Sequence, residues 1–457
     1  MSFGRKFDVA ENGENISFTQ KVSSKGCYDV AVAGGGVAGI SAAIAAARRG
    51  KKVLLIEKSN ILGGLATLGL INYFVPMCNG RGKQIIFGLA EELLRESVLY
   101  GFNTIPEGWE NGEPDEPPKR RYTTRYSPYI FAFQLVEKVK KEGIDLLLDC
   151  IATDPVMKGD SCEGVLVYGK GGVDYYRCRT LIDTTGDADI LRAAGIPTAS
   201  RGNFFTYGCN MITLENCREA AESGDIRKAF KGIGGGGINL FGDKQPEDIP
   251  MWKGLTVEEV TDYLVRNQTL ALNKIKEKSK KGIDYEITTV PHMPQFRTTA
   301  CMKGDFTLKA TDVYKHREDS ICAINDFEHR DHLWEVPLGA ITRHDTPNIL
   351  TAGRCASGEG YGWDILRVIP PAIITGQAAG EIASMAVEDG CGVADVNVRE
   401  LQKRLESDNV MVHFPDSLVP EKRTLVIHGR DYSSEAEMCN SVAESTDSGV
   451  TGEPIHI

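Results

Sequence analysis

The sequence predicts an α/β fold, a parallel sheet with helices on its faces, carrying a small antiparallel β-meander and a second α+β domain. Three observations predict it. Residues 28–58, YDVAVAGGGVAGISAAIAAARRGKKVLLIEK, read as strand, glycine turn, helix and strand. Residues 151–179 read as short alternating strands with turn signals at Lys158-Gly159-Asp160 and Gly169–Gly172. Residues 349–380 bring a further apolar strand, Ile349 onward, into Gly353-Arg354 and then a helix.

Val30–Ala33 form an apolar run bounded by glycine, as a parallel strand covered on both faces requires. Gly34 makes the tight turn, Gly36 lets backbone approach a pyrophosphate, and Gly39 lets the helix lie close on the sheet. Val37 and Ala38 open that helix, whose free amides and dipole attract phosphate without a lysine. Alanines 42, 43, 45, 46 and 47 keep it slim and strongly helical. The strand Lys52–Ile56 ends at Glu57, placed to accept the adenosine ribose hydroxyls, with Lys58 beside it. This is a Rossmann-type unit for an adenine dinucleotide. The next glycine pair and its small neighbours, Gly63, Gly64, Leu65, Ala66 and Thr67, offer further close backbone approaches. FAD, the longer dinucleotide, needs them, whereas a nicotinamide cofactor rarely does.

A second block, TLIDTTGDADILRAAGIP, ends a strand in Thr185-Gly186-Asp187. With the 349–380 segment these blocks resemble the FAD-binding elements of glutathione-reductase-like and fumarate-reductase-like flavoproteins. The likeness is close to the bacterial group called FAD-dependent oxidoreductases, over about residues 20–390. It implies that a helix opening near Gly376 points at the flavin pyrimidine, where a helix N-terminus stabilises the charge of the reduced ring. It also implies that Gly353, Arg354, Arg367, Gln377, Ala378 and Ala379 sit near the flavin. The 151–179 meander resembles the one that covers the sheet in this class, which implies that Ile151 faces the adenine.

Along the chain we expect an N-terminal extension over 1–27 and a discontinuous FAD-binding domain over 28–199 and 337–415. A substrate domain over 200–336 and a mobile C-terminal tail over 416–457 complete it. Within these, helices are expected near Ile86–Tyr100, Pro128–Glu142, Arg218–Lys231 and Val257–Lys281, and strands at Ile144–Leu148, Phe204–Leu214 and Glu286–Val290. Residues 103–128, rich in proline, glycine and charge, suit a long surface loop. The glycine cluster 234–237 reads as a loop, because no buried strand precedes it.

Lys plus Arg is 52 and Asp plus Glu 63, a net charge of −11, which argues against a broad nucleic-acid or anionic-membrane surface. No stretch reaches the roughly 18–20 apolar residues of a membrane span, and no signal peptide is evident. A cytoplasmic location is expected. The 12 cysteines lack metal-like spacing, so no metal is expected.

The expected partners are a small-molecule substrate and an electron acceptor or donor whose identity stays open, with neither nucleic acid nor membrane; self-association stays open too. The expected function is hydride transfer between flavin N5 and a small polar organic substrate, by oxidation of an alcohol, sugar, hydroxy acid or amine. Reduction of an activated C=C bond and an RNA-associated flavoprotein are the alternatives. His329 is the expected proton acceptor, with Tyr361 and Asp364 lining the pocket and Arg297 orienting the substrate. His332, before Leu333 and Trp334, reads as structural.

Overall fold

The computed structural model describes residues 6–9, 16–106, 123–232, 236–283 and 285–434. A strand pair, β1 (Lys6–Val9) and β2 (Ile16–Thr19), precedes the main sheet. Then β3 (Ser24–Ala33), α1 (Val37–Arg48) and β4 (Val53–Ile56) form the expected unit, with β3 and β4 parallel and Val30 opposite Val53. β5 (Tyr73–Phe74) pairs with β6 (Thr124–Arg125), α2 (Gly88–Ser97) lies between them in sequence, and α3 (Pro128–Lys141) leads to β7 (Asp145–Leu147). β8 (Ile151–Lys158), β9 (Ser161–Gly169) and β10 (Gly172–Asp183) make the meander.

The sheet runs β7-β4-β3-β10-β9-β8. β10 joins its two characters: Gly172–Arg177 pairs antiparallel with β9, while Thr180–Asp183 runs parallel to Val30–Ala33. That brings the chain ends after β3 and β10 side by side, where open α/β sheets bind ligands.

α4 (Asp189–Ala193) leads to a second unit. In it β11 (Thr198–Ser200) pairs with β17 (Ala300–Met302), β12 (Thr206–Tyr207) with β15 (Gly236–Gly237), and β13 (Asn210–Thr213) with both β14 (Lys231–Gly232) and β16 (Tyr285–Thr289). α5 (Leu214–Ser223) and α6 (Val257–Ser279) flank them. Phe205, Tyr207, Trp252, Tyr263 and Phe296 form a separate small core. The hairpin β18 (Ser320–Asn325) and β19 (Leu333–Pro337) instead buries Ile321, Ile324, Trp334 and Val336 in the main core with α1. The expected boundary at 336 therefore falls one hairpin late.

β20 (Ile349–Thr351) adds to β10 in parallel, followed by α7 (Tyr361–Arg367), α8 (Ile369–Asp389) and α9 (Val398–Ser407). α8 crosses α1 closely because Gly376 and Gly380 face the carbonyls of Ala38 and Ala42, where an added Cβ would collide with backbone. Of the expected tail, residues 416–434 are folded, with Leu425 and Ile427 in the main core, because apolar side chains there cover it. Residues 435–457 and 107–122, most of the expected surface loop, lie outside the described residues.

Candidate active site

The turn after β3 is built as its glycines require. Gly34 has φ +107°, and its N–H donates to the Ile56 carbonyl at 2.8 Å. At Gly39 a Cβ would collide with the Gly34 carbonyl oxygen, so only glycine lets α1 sit this close. Gly36 differs: a Cβ there meets nothing within 4 Å, because it points into an open cleft. The Glu57 carboxylate, itself buried, accepts the Gly35 N–H at 2.6 Å and the Ser59 N–H at 2.8 Å. These bonds fix it at the cleft wall.

The cleft encloses about 980 Å³ of space, counting solvent at its mouth. Its lining includes Gly34, Gly36, Val37, Ala38, Glu57, Lys58, Gly63, Gly64, Leu65, Ala66, Ile151, Thr185, Gly186, Arg354 and Arg367, all expected from the sequence. Gly63 and Gly64 reach it through φ +106° and +57°, and the Gly63 N–H donates to the Gly35 carbonyl. Ile369 and Ala372 line it from the first turn of α8. Among the described residues Thr213, Thr256 and Asn397 cap α5, α6 and α9, while no side chain caps α1 or α8, nor α2, α3, α4 or α7. The starts of both helices reach this cleft: α1 offers its first-turn N–H groups to anionic cofactor atoms, whereas Pro370 and Pro371 leave α8 only the Ile369 N–H and the helix dipole.

Seven expected residues lie behind the wall. Gly39 and Gly353 serve close packing, with the Gly353 Cβ direction aimed at Ala38. The Thr67 hydroxyl is buried and donates to the Leu62 carbonyl at 2.6 Å. Asp187 binds Arg354 Nη2 at 2.7 Å and the Thr299 hydroxyl at 2.8 Å, which sets Arg354 across the sheet end. Gln377, Ala378 and Ala379 are two turns inside α8, which opens at Ile369 and not near Gly376. They are buried, and Gln377 Oε1 accepts the Leu89 N–H at 2.8 Å, serving the start of α2.

The expected chemical residues fall into two groups, one built around Asp364 and the other around Tyr361 of α7, and none lines the cleft just described. In one, Asp364 accepts Arg201 Nη2 and Arg367 Nε, both at 2.8 Å on Oδ1. Arg297 stands in the field of this pair. Burial, then the like charge of Arg367, lowers its guanidinium to about 10. Its Nη2 donates to the Ile238 carbonyl at 2.8 Å, while its buried Nη1 has no hydrogen-bond partner among the described residues. Tyr73 feels the same arginines, yet burial pushes its phenol up to about 12. Arg201, Asp326 and Tyr73 were not read as site residues from the sequence. Only Asp326 carried a signal there, in the acidic, histidine-bearing run Asn325–Trp334.

In the other group, the Tyr361 hydroxyl donates to Asp326 Oδ1 at 2.6 Å, and burial followed by Asp326 raises its pKa well above the ordinary 10. The same Oδ1 accepts the Glu328 and His329 N–H groups. His329 lies 5.9 Å from Tyr361 between ring centres. His332 is held between Asp326 Oδ2 at 3.3 Å and the Thr424 carbonyl at 3.1 Å, a structural position.

An FAD fits these residues: the open Cβ direction of Gly36, the fixed carboxylate of Glu57 and two uncapped helix ends meet in one cleft. Fold and cleft together define a flavin-dependent oxidoreductase. The chain matches the family model described as FAD dependent oxidoreductase over residues 29–223 and 251–405, and it belongs to that family. Its cofactor is FAD.

The chain is 29% identical over 190 residues to digeranylgeranylglycerophospholipid reductase 2 of Methanothermobacter thermautotrophicus, covering 38% of this chain and 43% of that protein. It is 26% identical over 183 residues to digeranylgeranylglycerophospholipid reductase of Methanoculleus marisnigri, covering 38% and 42%. It thus spans less than half the length of these curated relatives. A geranylgeranyl bacteriochlorophyll reductase-like crystal structure from Thermoplasma acidophilum matches 86% of this chain and 94% of its own, at 14% identity and TM-score 0.41. No helix among the described residues is long and apolar enough to cross a membrane.

Proposed function

We propose that this FAD-dependent oxidoreductase acts on a small polar organic substrate bearing a carboxylate, with a hydroxy acid and its oxidised partner as the leading pair. The observation that carries this reading is Arg297, whose buried Nη1 has no acceptor among the described residues and lies beside a second buried arginine, Arg367. A buried cationic donor left unsatisfied is costly, and a substrate carboxylate supplies the missing acceptor.

Bound FAD supplies the hydride acceptor or donor. In this proposal Arg297 orients the substrate, and Arg201 with Arg367 adds positive charge only partly balanced by Asp364. His329 takes the hydroxyl proton, and Tyr361, braced by Asp326, forms the wall against the histidine. The aromatic rings of Phe241 and Phe327, stacked on Tyr361, limit water there.

A different reaction, reduction of a C=C bond conjugated to a carboxylate, is the second reading. It is favoured by the names of the two curated relatives, both reductases. Anaerobic titration separates the two: bleaching of the flavin absorbance by hydroxy acids supports oxidation. Reoxidation of dithionite-reduced protein by enoates supports reduction. If neither carboxylate class perturbs the flavin spectrum, the anionic-substrate reading fails.

A further inference from the structure

Three segments far apart in sequence meet at one buried carboxylate. Glu335, in the middle of β19, has a side chain with 0% exposure. His316 Nδ1 lies 2.7 Å from its Oε1, and His413 Nδ1 lies 3.0 Å from its Oε2. The Arg317 N–H also donates to Oε2, at 2.6 Å. On the far side of the first imidazole, His316 Nε2 sits 3.1 Å from Asp416 Oδ1. One ligand-capable atom each from His316, Glu335 and His413 lies within 4.8 Å of the others.

We propose that His316, Glu335 and His413 form a binding site for a zinc-class divalent transition metal, with Asp416 orienting His316 from behind. The donor set is the first reason. Two imidazole nitrogens and one carboxylate suit zinc and its neighbours, whereas magnesium and calcium favour oxygen alone. Spacing is the second. Bonds of about 2.0–2.1 Å in a tetrahedral site set neighbouring donors about 3.3 Å apart; each imidazole nitrogen already lies 2.7 or 3.0 Å from one of the two Glu335 oxygens, and one donor atom from each residue lies within 4.8 Å of the others.

The outer contacts are the third. A metal-bound histidine usually gives its remaining ring N–H to a carboxylate or carbonyl, and Asp416 occupies that place for His316. The Phe414 ring, 4.5 Å from the His316 ring centre, limits how that imidazole turns. Charge balances too: Glu335 and Asp416 together offset a dication when both histidines are neutral. Solvent reaches the site, since the His316 and His413 side chains are 44% and 36% exposed beside the buried glutamate. A water completes the fourth position there.

The metal has a structural consequence. Residues 411–412 run along β18, where the Met411 carbonyl accepts the Ala323 N–H and the Val412 carbonyl accepts the Ser320 hydroxyl, both at 2.7 Å. A metal shared by His413 and Glu335 pins this C-terminal segment to the hairpin that also carries Asp326 and His329.

The test is titration of tag-free, EDTA-treated full-length holoprotein with Zn²⁺ by calorimetry and thermal melting. The expected result is one Zn²⁺ per chain at micromolar or tighter affinity, a raised melting temperature, and no response to Mg²⁺. His316→Ala and His413→Ala, chosen because both side chains are partly exposed, each weaken zinc binding at least tenfold while flavin content confirms folding. X-ray absorption of the zinc-loaded wild type should show two imidazoles in the first shell. No zinc uptake, fewer than two imidazoles, or wild-type affinity in either variant overturns the assignment.

Discussion

Gly36→Ala and Gly39→Ala look equivalent in sequence, since both break the glycine pattern, yet the structure separates them. At Gly36 the added methyl meets no protein atom within 4 Å, so the cofactor-free fold has no reason to change. It does occupy the space through which a pyrophosphate must approach the amides at the start of α1. A hydrogen bond from backbone N–H to a charged oxygen contributes about 1.5–3 kcal/mol, so losing one weakens FAD binding roughly 10- to 150-fold. At Gly39 the methyl collides with the Gly34 carbonyl oxygen, more than an ångström inside the 3.4 Å of ordinary contact, and lies 2.5 Å from the Thr184 hydroxyl. Relieving that collision moves α1 off the sheet, an overpacking cost of about 1–3 kcal/mol. Apoprotein melting and FAD titration by fluorescence quenching give both readouts. Gly36→Ala should melt with wild type but bind FAD poorly, and Gly39→Ala should lose both. A Gly36→Ala protein with wild-type FAD affinity would refute the placement of the phosphates.

Arg297→Ala should leave FAD content unchanged and weaken, by roughly 10- to 100-fold, any carboxylate ligand that perturbs the flavin spectrum, the loss of one charged hydrogen bond; equal ligand affinity in mutant and wild type counts against the proposal. Arg354→Ala strips Asp187 of its buried partner and removes a donor from the Phe296 carbonyl, so the melting temperature should fall, by about 1–3 kcal/mol of stability since Asp187 keeps some solvent; an unchanged urea midpoint contradicts it. Burial, opposed by Arg49, holds the Glu381 carboxyl up at about 7 against an ordinary 4.5. The folded state then keeps a proton that the unfolded state releases, so this group's contribution to stability falls as pH rises from 4.5 to 7 and levels off above. Urea unfolding at pH 5 and pH 7 should show that fall in wild type, and Glu381→Gln should reduce it.

The first unit was legible because each part has its own local signature. β3 ends in the apolar run Val30–Ala33, the turn needs glycine at Gly34 and Gly39, and Glu57 falls where β4 ends. The start of α8 was hidden by Pro370-Pro371, which look like breakers but stand in a first turn, where proline lacks no bond. Gly376 then drew attention as an opening, although it and Gly380 serve the crossing with α1. The hairpin β18–β19 is buried at every position, so it shows no alternation of polar and apolar residues. Arg201 was invisible because only tertiary structure brings it to Asp364, 163 positions away. The folded segment after α9 did leave a trace: Val410, Val412 and Phe414 alternate, and all three are buried.

The most direct measurement is a paired titration of apoprotein with FAD and with FMN, followed by absorbance and fluorescence. In the proposed site Gly34–Gly39 and Glu57 serve the pyrophosphate and adenosine end, and FMN lacks the adenosine monophosphate part of FAD. The account predicts one FAD per chain and FMN binding weaker by at least about 100-fold, the loss of two or more charged hydrogen bonds. Equal affinity for the two, or uptake of neither, would contradict it.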